Sequence, residues 1–95
     1  MGGIKKTPRP TDSDLAKNWF GWANLSQRAA DDVRSLHVCV QDELSLIEQC
    51  ARSKVGADSV DREGETLLAK HLDESIRLLE AAAALLRRLR RLVRS

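Results

Sequence analysis

The chain has no tyrosine, one phenylalanine and two tryptophans among its 95 residues. Its core must therefore come from Leu, Ala, Val and Ile, which pack helix against helix more readily than they fill a β-sandwich. Long apolar runs are missing too. Nothing approaches the roughly 18 uninterrupted apolar residues of a membrane span, and the opening MGGIKKTPRP lacks the apolar stretch of a secretory signal. These absences lead us to expect a cytoplasmic chain with no membrane span. Gly2 falls near the N-myristoylation pattern but outside it, because Lys6 stands where Ser or Thr is required.

Metal and redox ligands are scarce. His37, Cys39, Cys50 and His71 are the only soft ligands, with no CxxC or HxxxH pair among them. Cys39 and Cys50 are eleven residues apart, about 16 Å along a helix, beyond the reach of a disulfide. Both are expected as reduced thiols, Cys50 as a small core residue and the two histidines as flanking or partly buried helix positions. No nucleophile stands beside a base, and no glycine-rich loop could cradle a phosphate. Asp31 with Asp32, Asp42 with Glu43 and Asp73 with Glu74 are adjacent in sequence, so each pair splays across a helix surface instead of converging on a substrate. The expectation is a protein with no catalytic site, no cofactor and no metal.

What remains is one domain's worth of helix-forming chain, 42% hydrophobic and 32% charged. Residues 1–11 carry two Gly, two Pro and three basic residues, the composition of a flexible basic tail. A first helix is expected over about 12–53, with Asp12 or Ser13 as its cap and Asp14 at the positive end of its dipole. Its apolar positions recur as Leu15, Trp19, Trp22, Ala29, Val33, Leu36, Val40, Ile47 and Cys50, with Ser26 and Glu43 as misfits. Ala23, Ala30, Leu44 and Ala51 widen the stripe. Gly21 costs about 1 kcal/mol relative to Ala within a helix, and Asn24 with Gln27 resembles a second start signal, so a break near Gly21 would give a short helix before the long one.

Residues 54–64 lose the helical period and gather Gly56, Asp58, Ser59, Asp61 and Gly64, which is turn and capping chemistry. A second helix is expected from Asp61 or Glu65 to about residue 93. Its seam reads Leu68, Leu72, Ser75, Leu79, Ala82, Leu86, Leu89 and Val93, alternating by four and three. Leu78, Leu85 and Leu92 flank it on one side, and Ala69, Ile76 and Ala83 on the other. The fold class is thus all-α, a long antiparallel helical hairpin of coiled-coil character.

Such broad faces exceed what one hairpin covers, and a large exposed apolar patch marks an interface. Two hairpins pairing as a homodimer into a four-helix bundle would cover them. The competing arrangement folds residues 12–20 back as a third helix, with Trp19 and Phe20 plugging the groove. The bundle seam is assigned to Leu68, Leu72, Leu79, Ala82, Leu86 and Leu89 with Val33, Leu36, Val40 and Ile47.

Charge is segregated along the chain. Residues 11–86 hold eight Lys or Arg against fourteen Asp or Glu, while the termini carry Lys5, Lys6 and Arg9 and then Arg87, Arg88, Arg90, Arg91 and Arg94. A hairpin brings this basic end beside Trp19, Phe20 and Trp22. That pole suits a protein partner with an acidic surface, nucleic-acid phosphates or an anionic membrane, and it also suits a solvated helix end whose arginines complement the dipole. The helices are too long for a helix-turn-helix reader, and the basic block follows the heptads, whereas a basic zipper needs it ahead of them. The function expected is a helical protein–protein interaction module, an adaptor, regulator or inhibitor. A nucleic-acid-binding dimer is the alternative, and a structural assembly component stands behind both.

Overall fold

The computed structural model describes residues 10–57 and 61–94; residues 1–9 of the basic tail expected over 1–11 lie outside the described residues, and Thr11 belongs to the cap of the first helix. Three helices are present: α1 (Asp12–Leu15), α2 (Trp19–Ser53) and α3 (Arg62–Arg94). The long helices α2 and α3 pack antiparallel as a hairpin, and there is no strand among the described residues. At 1.5 Å per residue each spans about 50 Å.

The first helix breaks at residues 16–18, just ahead of Gly21. Thr11 caps α1: its Oγ1 accepts the Asp14 N–H at 3.2 Å while the Asp14 carboxylate accepts the Thr11 N–H at 3.1 Å, a reciprocal capping box. α2 restarts at Asn18, whose Oδ1 accepts the Gly21 N–H at 2.8 Å. Gly21 is required by packing. A Cβ built there would lie 1.7 Å from the carbonyl oxygen of Leu15, so α1 can rest on the first turn of α2 only where a side chain is missing. The cost of glycine in a helix is here offset by a contact that the helical pattern did not reveal.

At the other end α2 stops at Ser53, and Gly56 takes φ of +96°, a left-handed conformation open to glycine that turns the chain out of the helix. Asp61 begins α3, its Oδ1 accepting the Gly64 N–H at 2.8 Å and its Oδ2 the Lys54 ammonium at 3.1 Å. The Gly64 N–H and then Lys54 hold the Asp61 carboxyl below the usual carboxylate range; the Thr11 N–H and hydroxyl and then Lys17 do the same for Asp14. Both caps therefore contribute stability above the ordinary carboxyl value of 3.8 and lose it as pH falls through their lowered values.

The α2–α3 seam differs in part from the expected one. On α3 the residues turned toward α2 are Gly64, Leu68, His71, Ser75, Leu78, Ala82, Leu85, Leu89 and Leu92, an unbroken four-three alternation, with Leu78 only 6% exposed. Leu68, Ser75, Ala82 and Leu89 lie on this seam, at positions of the expected one. Leu72, Leu79, Leu86 and Val93 do not; they are 48%, 56%, 53% and 68% exposed. Relative to the expected seam α3 is rotated by about 50°. On α2, Val33, Leu36, Val40, Ile47 and Cys50 face the seam as expected, Val40 and Cys50 being buried. Leu25 is buried as well, where the heptad pattern points to Ser26, which is exposed.

The rotation has a polar cause. Glu43, a misfit in the apolar stripe of α2, meets His71 on α3: the imidazole Nδ1–H donates to Oε2 at 2.6 Å, with both side chains largely buried. One turn on, the buried Ser75 hydroxyl donates to the His71 carbonyl at 2.9 Å. With α3 turned to its Leu72 and Leu79 face, the Glu43 carboxylate would remain at the seam without its imidazole partner, at about 1–3 kcal/mol for an unsatisfied group. Gly64 adds a second reason, since it sits buried where α3 starts beside Lys54.

Two outcomes follow from these contacts. Glu43→Leu should lower the melting temperature by orphaning His71, and adding His71→Leu should restore it to the wild-type value or above, as replacing both members of a buried pair often does; thermal unfolding followed by circular dichroism reads both. Gly21→Ala should displace α1 and destabilise the chain by about 1–3 kcal/mol instead of stabilising it, as overpacking does, with tryptophan emission moving to the red as the Trp22 environment opens.

Candidate interaction surfaces

Two surfaces stand out once the seam is assigned. The first is the outer stripe of α3. Leu72, Ile76, Leu79, Ala83, Leu86 and Val93 recur by fours and threes, interrupted only at Arg90, and all but Ala83 are exposed. This heptad line lies beside the intramolecular seam and not opposite it, the disposition of a bundle helix with two neighbours.

The stripe has company on α2. Arg28 and Asp32 line one shallow cleft with Leu85, Arg88 and Leu89, so those flanks of α2 and α3 share a face of the hairpin. Helical rotation places the opposite flanks together on the other face: Ala30, Leu44 and Ala51 of α2 beside Leu72, Leu79 and Leu86 of α3. Leu44 is 42% exposed and Ala51 is exposed. One face of the two-helix layer therefore sets the apolar stripe of α3 beside Ala30, His37, Leu44 and Ala51 of α2, while the other mixes Asp32, Cys39, Glu74 and Arg88 with the exposed Leu46 and Leu67.

The second surface is the pole where α1, the start of α2 and the end of α3 meet. Trp19 and Phe20 are 87% and 80% exposed, so they do not plug the hairpin groove; the fold-back arrangement is realised only as the single turn of α1. Trp22 is half-buried, and with Ala16, Trp19, Leu92 and Val93 it lines an open cleft. Arg87, Arg90 and Arg91 project from the adjoining turns of α3 and are exposed, whereas the Arg88 guanidinium is paired with the Asp12 carboxylate of α1. That ion pair ties α1 to α3 and removes one charge from the basic patch. α3 reaches Arg94, so the remaining member of the expected pole belongs to the same helix end.

Other charges are local. Glu74 grips Arg77 one turn away, which holds the carboxyl low and pushes the guanidinium up; Arg34 pairs with Asp31 at 3.3 Å and Lys17 with Asp14 at 3.3 Å. All are exposed and worth little to stability. Cys50 is buried and Cys39 exposed, both as free thiols. Among the described residues no group of three His, Cys, Asp or Glu side chains converges as a metal site, and no helix is long and apolar enough to cross a membrane. Neither a protein-family model, nor a curated protein, nor a solved structure matches the chain.

Leu78 and Leu79 are adjacent in sequence and opposite in environment. Leu78→Glu should destabilise the hairpin by about 2–5 kcal/mol, because it empties a core site and puts a charge there. Leu79→Glu should leave the helical circular dichroism intact. Equal loss of helicity in the two variants would assign the seam to the wrong face of α3.

Proposed function

We propose that this protein is a non-enzymatic helical interaction module, acting as an adaptor, regulator or inhibitor through the apolar face of its hairpin and its basic, Trp-bearing pole. The observation that carries the reading is the outer stripe of α3: a second heptad line of leucines, half exposed, left over after the intramolecular seam is complete. A chain gains nothing in solubility from large apolar side chains in register along one helix, and contiguous patches of this kind mark sites of association. Homodimerisation into a four-helix bundle through this face is the form of association proposed first. A helical protein has few other ways to cover an apolar stripe about 32 Å long.

The pole supplies a different chemistry. Exposed Trp19 and Phe20 next to Arg87, Arg90 and Arg91 combine large, stiff aromatic surface with positive charge, the pairing enriched where proteins bind one another. The partner proposed there is a protein with an acidic surface. A nucleic-acid partner is the second reading, favoured by the same arginines. It differs in what salt does to it: binding through phosphates falls steeply as salt rises, by roughly one power of the salt concentration for each phosphate neutralised. In a larger assembly the module would be a structural component using these two surfaces.

The test is the solution mass by light scattering across a concentration series, alone and with an unrelated oligonucleotide. A mass near twice 10.6 kDa that is insensitive to oligonucleotide is the expected result. A rise in mass only when oligonucleotide is present, abolished by high salt, would move the assignment to nucleic acid. Replacing Arg87, Arg90 and Arg91 together by Gln should leave the fold intact while removing any binding at the pole. Collapse of the fold in that variant would show the arginines to be structural.

A further inference from the structure

The outer stripe of α3 is bordered by a charge pattern that bears on its occupant. One residue beyond Leu72, Leu79 and Leu86, on the edge away from the intramolecular seam, stand Asp73, Glu80 and Arg87, all solvent-facing. The edge is acidic in its first half and basic in its second, and the helix as a whole follows it, with its acidic side chains ending at Glu80 and its arginines crowding the turns after it. Two such edges laid parallel put like charge beside like charge. Laid antiparallel, they put acid beside base.

Resting on the reading of this stripe as an interface, we infer that its occupant is the α3 stripe of a second copy of this chain, running antiparallel about a two-fold axis near residue 81. In that register Ile76 meets Leu86 of the second copy and Leu79 meets its Ala83, large against small in the layer nearest the axis. Arg90, the one interruption of the stripe, falls opposite Leu72 toward the end of the contact, where its aliphatic stem lies on the leucine and its guanidinium reaches water. Asp73 then stands beside Arg87 of the second copy, and by symmetry the pair forms twice. At the axis Glu80 meets its own copy, a like-charge contact that weakens the pairing.

The arrangement also sets what the dimer can do. The two Trp-bearing poles sit at opposite ends of the shared layer, about 22 residues or 33 Å apart along the axis, so one dimer can hold two partners at once.

The experiment measures dimer dissociation by sedimentation at low salt for wild type and four variants, with circular dichroism as the check on folding. Wild type should dimerise and Leu79→Glu should be a folded monomer. Arg87→Asp should weaken the dimer on the order of tenfold, since two attractive rim pairs become repulsive, and Asp73→Arg combined with Arg87→Asp should recover most of that loss. Within one chain residues 73 and 87 are about 21 Å apart, so recovery can come only from contact between copies. Glu80→Gln should tighten the dimer. A wild-type dimer broken by Leu79→Glu but indifferent to the charge exchange would overturn the antiparallel register while leaving the stripe as an interface. A wild type that is monomeric throughout, or a dimer that Leu79→Glu does not disturb, would overturn self-pairing through this face.

Discussion

The contact between Glu43 and His71 joins positions 28 residues apart and lies nearly a third of the way along the hairpin from its turn. Around it, every layer of the α2–α3 seam is apolar or small, and such layers tolerate rotation. A line through Leu78 and Leu85 and a line through Leu79 and Leu86 would bury similar areas, because the same residue type stands at each pair of adjacent positions. Apolar area is non-directional and cannot choose between them. A carboxylate and an imidazole have to find each other, and their bond makes one rotational setting of α3 better than its neighbours. The apolar layers supply the cohesion, and the polar layer determines which apolar layers form.

Everything at the surface follows from that setting. With Leu68, Leu78, Leu85 and Leu89 directed inward, Leu72, Ile76, Leu79 and Leu86 are directed to one face, next to Leu44 and Ala51 of α2. The hairpin becomes a flat layer whose Leu72 side is the more apolar of the two. Its ends are also unlike. At the turn, Asp61 and Lys54 tie the two helices by a short ion pair. At the opposite end α1 is clamped by Gly21 below and Arg88 above, which leaves Trp19 and Phe20 in water beside the remaining arginines.

Much of this is legible in the sequence because it depends on local periodicity. Two long helices, their turn over the mid-fifties, the inward positions Val33, Leu36, Val40, Ile47 and Cys50, and the basic end of the second helix all follow from spacing and from where Gly and Asp gather. Leu25 is hidden because α2 departs there from a strict heptad, its inward residues stepping by four from Leu25 to Ala29 to Val33. Gly21 reads along the chain as a helical defect, because the carbonyl of Leu15 that excludes a side chain comes from outside the helix. Glu43 and Ser75 show in the sequence as irregularities in their stripes. Their link through His71 does not, since the partner of a polar misfit on one helix lies on another.

The sequence by itself determined that the chain is helical, that it reverses once between two long amphipathic segments, and that its positive charge collects at the end of the second. These are properties of residues and their near neighbours along a helix. Only the tertiary structure decided which of two adjacent leucine lines closes the hairpin and which is left to face outward. The reason is that a heptad pattern specifies a broad apolar arc, whereas the angle at which two helices meet within that arc is selected by long-range contacts between specific side chains.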